Sequence, residues 1–392
     1  MGGCQEAHRL DRACIAQRIK WTIGNFIGIQ QRHVVPCAGY TQAAVRTGYE
    51  QVIGHRTGDL FCTTARQDGK VISISDEGII VEYADGTRKG IELGRRYGAA
   101  GGLTIPHSVV TGLQVGEKFK AGDVLAFNDG FFEKDLLNPS NVVMKAGVLT
   151  NVVLMEAPVT LEDSSAISKE TAELLRTKMT KIKTVVVDFK QHIHRMVKPG
   201  ADLTEGDILC IIEDAITSDN KLFDEESLET LKVMGSQAPT SCFTGKLERM
   251  EIFYHGDKED MSASLRQLAD YSDRQLGKRL TSSGKKRFSG SVDEGFRADG
   301  NPLLLDTACI KFYITADVPA GVGDKGVFAN QMKTVFGEVL PMDVKTETGM
   351  KIGAIFGQKS IDDRIVNSPE LIGTTTVLLE LIGKKAADIY FK

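Results

Sequence analysis

The sequence predicts a mainly beta protein with helical insertions, and three observations carry that expectation. Forty glycines stand against ten prolines, and Asp-Gly and Gly-Asp pairs recur, so the chain is rich in residues that close tight turns. Between the turns lie short alternating runs such as Lys70-Val71-Ile72-Ser73-Ile74 and Ile310-Lys311-Phe312-Tyr313-Ile314, the period of strands. Helical periodicity shows in only a few windows. With 392 residues, the chain is long enough for two or more domains and a substantial core.

In chain order, Cys14-Ile15-Ala16 and Ile19-Lys20-Trp21-Thr22-Ile23 are separated by charged positions and fit a short amphipathic helix within residues 5 to 30. Lys70 to Ile74, Gly78 to Tyr83 and the turn Ala84-Asp85-Gly86-Thr87 read as a meander. Two passages, Val115 to Ala126 and Val197 to Leu209, repeat one design, a tight Gly-Asp turn before an apolar strand. In each the Asp, Asp123 or Asp207, is placed to accept nearby backbone hydrogen bonds, a cue for small sandwich-like units. Biotinyl and lipoyl carrier domains resemble this pattern, but neither passage carries a modification lysine between symmetric hairpins.

Glu162-Asp163-Ser164-Ser165 precedes an apolar run, and Asp163 or Ser164 fits the N-cap of a helix around Ile167 to Leu175. Leu203 to Ile212 and Gly245 to Tyr254 read as strands bracketing a polar region. Leu265, Leu268, Tyr271 and Leu276 give Ser262 to Leu280 a helical face, and a mobile polar span is expected from Thr281 to Asp299. Ile310 to Ile314 reads as a strand with differently exposed faces. Near the end, Val366, Leu371, Ile372 and the run Thr376 to Ile382 fit a packed or intersubunit element.

Composition narrows the function classes. Lys plus Arg total 48 and Asp plus Glu 52, a formal net charge of -4, which argues against a free-standing basic DNA coat but accommodates an enzyme that gathers its cations in one channel. The cysteines Cys4, Cys14, Cys37, Cys62, Cys210, Cys242 and Cys309 are scattered singly, so a reduced environment is expected rather than a disulfide scaffold. No apolar run reaches membrane-spanning length. The start Met1-Gly2-Gly3-Cys4 has Glu6 where myristoylation wants Ser or Thr. His192 and His194 alternate on an apparent strand without a third ligand, so zinc is not expected.

The segment Gly321-Val322-Gly323-Asp324-Lys325-Gly326-Val327 carries the clearest chemistry. Its glycines permit close backbone approach, and its lysine offers a mobile positive charge for phosphate from a loop between strands. It is not a P-loop, because Gly326 follows the lysine and no Ser or Thr leads a helix. In Ile361-Asp362-Asp363-Arg364-Ile365, Arg364 can grip phosphate bidentately or pair with its neighbouring aspartates. Glu162 and Asp163, adjacent on a chain, point to opposite faces and make a poor symmetric metal pair. Gln31 and Arg32 suit a sugar or phosphate, or a polar clamp between domains. Lys278, Arg279, Lys285, Lys286 and Arg287 form a basic cluster that either tracks a nucleic-acid backbone or is a solvated loop.

The ordered occurrence of Gln30-Gln31-Arg32-His33-Val34-Val35-Pro36, Leu161-Glu162-Asp163-Ser164-Ser165-Ala166-Ile167-Ser168 and the Lys325 segment resembles the second half of the beta subunit of multisubunit DNA-dependent RNA polymerases. The chain looks like the C-terminal piece of a split beta subunit of the kind found in giant bacteriophages. The resemblance implies a discontinuous double-psi beta barrel with small barrel-sandwich-like and flap-like modules. Its divisions would be a connector and barrel start over 1–60, a sandwich-like module over 61–140, a barrel segment with the Glu-Asp motif over 141–190, a flap-like region over 191–305 and a C-terminal barrel and assembly segment over 306–392.

The resemblance also implies template-directed ribonucleotide transfer to the RNA 3′ end, with this chain as one wall of the cleft and inactive alone. Lys325 corresponds to the later of two active-site lysines; the earlier would fall near Asp317, where this chain has none. Arg364 would approach the nucleoside triphosphate, Gln31 and Arg32 the nucleotide and hybrid, and Glu162 and Asp163 the second magnesium, with Asp163 in an outer role. Mg2+ would be bound mainly by a beta-prime-like partner, since this chain has no DxDxD motif. The implied partners are the remaining beta fragment, the beta-prime subunit or its fragments, template DNA, RNA product, ribonucleoside triphosphates and an initiation factor. The expected setting is intracellular, in an infected bacterial host, with packaging in virions left open and no membrane role. Two alternatives stand: a noncatalytic beta-rich nucleic-acid-binding scaffold, and a carrier or adaptor built on the two Gly-Asp units.

Overall fold

The computed structural model describes residues 34–42, 48–100, 103–145, 147–214, 237–279, 289–328, 332–341, 344–347, 349–363 and 368–391. The first strands are β1 (Cys62–Thr64), β2 (Gly69–Ser75), β3 (Gly78–Tyr83), β4 (Arg88–Glu92), β5 (Gly94–Ala100) and β6 (Leu103–Val110). Then come β7 (Lys118–Phe119), β8 (Val124–Asn128), β9 (Phe132–Lys134), β10 (Val142–Met144), β11 (Val152–Leu154) and β12 (Ser164–Ser168). Helix α1 (Lys169–Leu174) leads to β13 (Thr177–Asp188), β14 (His192–His194), β15 (Asp202–Leu203), β16 (Ile211–Glu213) and β17 (Gly245–His255). Helix α2 (Ala263–Leu276) precedes β18 (Arg297–Ala298), β19 (Asn301–Pro302), β20 (Thr307–Val318), β21 (Lys325–Phe328), β22 (Met332–Leu340) and β23 (Ala354–Phe356). Two helices close the chain, α3 (Gln358–Asp362) and α4 (Ser368–Tyr390). Strand accounts for 42% and helix for 19%, so the mainly beta expectation with helical insertions holds.

The largest sheet runs β1-β8-β6-β13-β20-β17-β15, with β5 paired to β6. Its spine is the β13–β20 ladder, in register from Thr177↔Val318 to Asp188↔Thr307. One face of the spine buries Val185, Val187, Leu247, Ile252, Ile310, Phe312 and Ile314 beneath Leu265 and Ala269 of α2. The expected contrast between the faces of the Ile310–Ile314 strand is absent: β20 lies between β13 and β17, and its other face is covered too. There the Tyr313 hydroxyl donates to Glu251 at 2.8 Å, and Arg279 donates to the same carboxylate at 2.6 Å.

Three local expectations hold because they rest on local chemistry. The meander forms as β2-β3-β4, with β7 on the outer side of β2 and a core of Val71, Ile79, Val81, Ile91, Phe119 and Leu125. Helix α2 starts where Ser262 accepts the Leu265 amide at 3.3 Å and buries Leu265, Ala269, Ser272 and Leu276. Both Gly-Asp passages make the same turn. Gly122 and Gly206 each adopt φ +94°, which only glycine takes without strain, and the Asp that follows accepts a backbone amide three residues back, Lys120 to Asp123 and Thr204 to Asp207, each at 2.7 Å. The Thr204 amide holds the exposed Asp207 carboxyl below the usual carboxylate range.

The likeness of the two passages extends to their partners. Gly116 donates to Val71, Val71 to Glu117, Gly122 to Ala65 and Ala65 to Asp123. In the second passage Gly200 donates to Leu247, Leu247 to Ala201, Gly206 to Ser241 and Ser241 to Asp207. The ladders match as well, Gly69↔Phe119 in one and Gly245↔Leu203 in the other. The partner segment precedes the turn in the first unit and follows it in the second.

Other expectations are corrected. Leu203 to Ile212 is not one strand, because the Thr204–Asp207 turn splits it into β15 and β16. The helix after Glu162-Asp163 starts later: Ser164–Ser168 is β12, and Ser168 caps α1 by accepting the Thr171 amide at 3.1 Å. Ser165, Ala166, Ile167 and Ser168 are buried between β22 and β23, so ladder bonds outcompete helix initiation there. The run Thr376 to Ile382 lies on α4 and is exposed from Val377 onward, so of the two expected roles it is not the one packed within the described residues. Among the described residues no sheet closes into a barrel, so the closed double-psi barrel is not found; the five-stranded sheet β11-β23-β12-β22-β21 keeps two edges. Cys37, Cys62, Cys210 and Cys309 are buried thiols, and Cys242 is exposed; burial pushes Cys62 up to about 12. No described helix is long and apolar enough to cross a membrane. The helix expected within residues 5 to 30 lies outside the described residues, as do Lys285, Lys286 and Arg287.

Candidate active-site sheet

The five-stranded sheet unites segments far apart in sequence. β12 pairs parallel with β22 and antiparallel with β23, β11 pairs parallel with β23, and β21 pairs antiparallel with β22. Register sets Lys325 opposite Val335, and Val335 beside Ser164. At ~4.8 Å per strand spacing, the Lys325 and Ser164 backbones are about 10 Å apart. Glu162 and Asp163 immediately precede Ser164, so the acidic pair and the lysine share one end of the sheet.

That end is held by hydrogen bonds to the backbone of the acidic pair. The Asp163 carbonyl accepts the Val335 amide at 2.9 Å and the Thr334 hydroxyl at 2.8 Å. Thr334, 1% exposed, also pairs with the Ser165 hydroxyl at 2.7 Å. Glu162 adopts φ 56°, a left-handed conformation that costs a non-glycine residue on the order of 1–3 kcal/mol and persists only where its surroundings impose it. Its carbonyl accepts the Ser360 hydroxyl of α3, and Glu156 accepts the Lys359 amide at 2.7 Å. Helix α3 therefore docks on the acidic turn, with Ile361 buried. Asp362 and Asp363 are the last described residues before Arg364, which lies outside the described residues.

Lys325 is not in the loop but opens β21 directly after it. The loop is clipped down: Asp324 accepts the Gly321 amide at 2.9 Å, Gly323 at φ +93° donates to Phe336, and Phe336 donates to Asp324. A Cβ on Gly326 would stand 2.5 Å from the Phe336 ring, so that glycine serves close packing within the sheet. Lys325 and Lys333 are both exposed. They share the solvent face of β21 and β22, because Lys325 opposes Val335 and Lys333 opposes Val327 while Met332, Thr334 and Phe336 turn inward. Neither lysine has an ionic partner among the described residues. Lys333 was missed in the sequence; the signal was its two-residue spacing from Val335, mirroring Lys325 and Val327.

Other expected residues fall elsewhere. Asp317 opposes Lys178 in the β13–β20 ladder, and both are exposed. Lys311 sits over Phe253 and Phe296 at 5.5 and 5.2 Å, about 20 Å along the strand from Asp317. Arg279 is committed to Glu251, whereas Lys278 is exposed. His194 lies 3.1 Å from Glu213. Gln31 and Arg32 lie outside the described residues. Among the described residues no three His, Cys, Asp or Glu side chains gather as a metal set; the acidic pair offers two carboxylates, and Mg2+ held by so few takes water or phosphate oxygens for the rest of its shell.

The arrangement offers two exposed ammonium groups at the end of the sheet that carries the acidic turn, positive charge of the kind that attracts phosphate. No family model matches the chain, and no curated protein matches it.

Proposed function

We propose that this chain is a beta-subunit fragment of a DNA-dependent RNA polymerase, forming one wall of the cleft in which ribonucleotides are joined to the RNA 3′ end. One observation carries the reading: the acidic turn and Lys325, from segments separated by the whole 191–305 region, meet at one end of a mixed sheet. A discontinuous barrel interrupted by a flap requires such a meeting. In this reading the open sheet is the part of a double-psi barrel contributed by the described residues, and 191–305 is the flap-like insertion, with its initiation factor as visitor.

Lys325, with Lys333 beside it, offsets the negative charge of the triphosphate and the RNA end in a cleft partly shielded from water. Arg364 follows α3, which is anchored to the Glu162 turn, and grips phosphate oxygens. Glu162 and Asp163 supply carboxylates at the margin of the site. Mg2+ belongs to carboxylates of a beta-prime-like partner, so the isolated chain is inactive. The exposure of Lys325 and Lys333 also suits a second reading, a noncatalytic scaffold that binds nucleic acid through the same lysines.

The test is DNA-templated, magnesium-dependent ribonucleotide incorporation by the complex copurified with its native partners. Lys325→Ala and Arg364→Ala should each lower incorporation on the order of a hundredfold with assembly intact, and Lys333→Ala should lower it less. Unchanged rates in the first two variants, or no incorporation by a correctly assembled native complex, would overturn the polymerase assignment in favour of the scaffold.

A further inference from the structure

α4 is the longest described helix, and the described residues leave it uncovered. Of the residues from 370 to 391 whose exposure is described, all but Thr376 are exposed, including Leu371 at 68%, Leu378 at 54%, Ile382 at 63% and Ile389 at 72%. Intrinsic propensity does not favour this helix. Gly373, Thr374, Thr375, Thr376, Val377 and Gly383 are poor helix formers, and helices of this kind draw their stability from packing an apolar face.

The apolar face has a specific pattern. Leu371, Leu378 and Lys385 recur at heptad spacing, as do Thr375, Ile382 and Ile389, so the two series alternate along one seam. Glu380 and Lys384 lie on the opposite side at 100° per residue, where they pair at 2.7 Å, and Glu370 and Asp388 flank the seam about 100° from its centre. The seam is also symmetric about Glu380. In an antiparallel pair Leu371 meets Ile389, Leu378 meets Ile382 and Thr375 meets Lys385, each contact occurring twice, as two-fold symmetry demands. A parallel pair would instead set Lys385 against its own copy.

We propose that α4 is a self-association element through which two copies of this chain pair antiparallel. A second copy is the occupant the sequence favours, because the seam complements itself in that direction and places its one charge beside a threonine. Two helices meeting from Leu371 to Ile389, about 27 Å, bury on the order of 1,000 Å², at the low edge of stable interfaces. The pairing should therefore depend on concentration. It holds whether or not the chain acts in transcription.

Sedimentation velocity of the full chain across micromolar concentrations tests it. The expected result is a monomer–dimer equilibrium. Leu378→Asp with Ile382→Asp should weaken it on the order of a hundredfold or more with the far-UV spectrum still that of a beta protein, while Lys385→Leu should strengthen it. With Leu371→Cys and Ile389→Cys introduced together, oxidation should link position 371 of one copy to 389 of the other, mapped by mass spectrometry, whereas Lys385→Cys should not link to itself. A monomer at every concentration would refute self-pairing and leave the face to a different chain; a dimer indifferent to the double Asp variant, a tetramer, or ready 385-to-385 linkage would refute this seam.

Discussion

Thr334→Val tests whether the hydroxyl pair beneath the acidic turn holds the candidate site together. Valine keeps the shape of threonine, so packing against the 1% exposed position is nearly unchanged and the perturbation is confined to hydrogen bonding. The Asp163 carbonyl retains the Val335 amide at 2.9 Å. The Ser165 hydroxyl, 0% exposed, loses the Thr334 oxygen at 2.7 Å and is stranded away from water. Stranding a buried hydroxyl costs ~1–3 kcal/mol, whereas losing an ordinary hydrogen bond costs about 1 kcal/mol. Thr334→Val should therefore destabilise by ~1–3 kcal/mol, and Ser165→Ala, which leaves Thr334 bonded to Asp163, by about 1 kcal/mol. The double variant should cost clearly less than the two singles together, because no buried hydroxyl is then left alone. Urea unfolding followed by far-UV circular dichroism measures all three. Singles that add to within ~0.3–0.5 kcal/mol, or a Thr334→Val variant as stable as the parent, would refute the coupling.

Two further outcomes follow from the geometry. In Gly245→Ala the new Cβ would stand 2.5 Å from the Thr315 carbonyl oxygen; a ladder backbone cannot move aside, so a loss of ~1–3 kcal/mol is expected in the same urea assay, and a neutral result would show that β17 and β20 can separate. Burial first, then Arg95, holds His107 below its ordinary 6.5, and its Nδ1 lies 3.1 Å from the Asn128 amide nitrogen, so the fold favours the neutral ring. The unfolded chain then takes up a proton first as pH falls: His107 contributes full stability above about 6.5 and loses it as pH drops through the lower folded value. The urea midpoint should fall between neutrality and pH about 5, and His107→Phe should flatten that fall; an equal slope in both proteins would place the acid sensitivity elsewhere.

What the sequence by itself determined is local. The Gly122-Asp123 and Gly206-Asp207 turns, the meander from Gly69 to Glu92 and the Ser262-capped helix α2 depend on a glycine that tolerates positive φ, a side chain that reaches a nearby amide, or an apolar period. Each is decided within a few residues. Lys325, Glu162 and Asp163 were legible as candidates for the same reason, through residue type and order. Tertiary structure alone decided that Ser164–Ser168 is a strand, that β20 lies between β13 and β17 with both of its faces covered, and that Lys333 stands beside Lys325. It also decided that the acidic turn and Lys325 lie about 10 Å apart, with the sheet between them open at β11 and β21. Those outcomes depend on ladder hydrogen bonds between segments far apart in the chain. A one-residue change of register would turn Lys325 and Lys333 to the other face, and local propensity does not encode that choice.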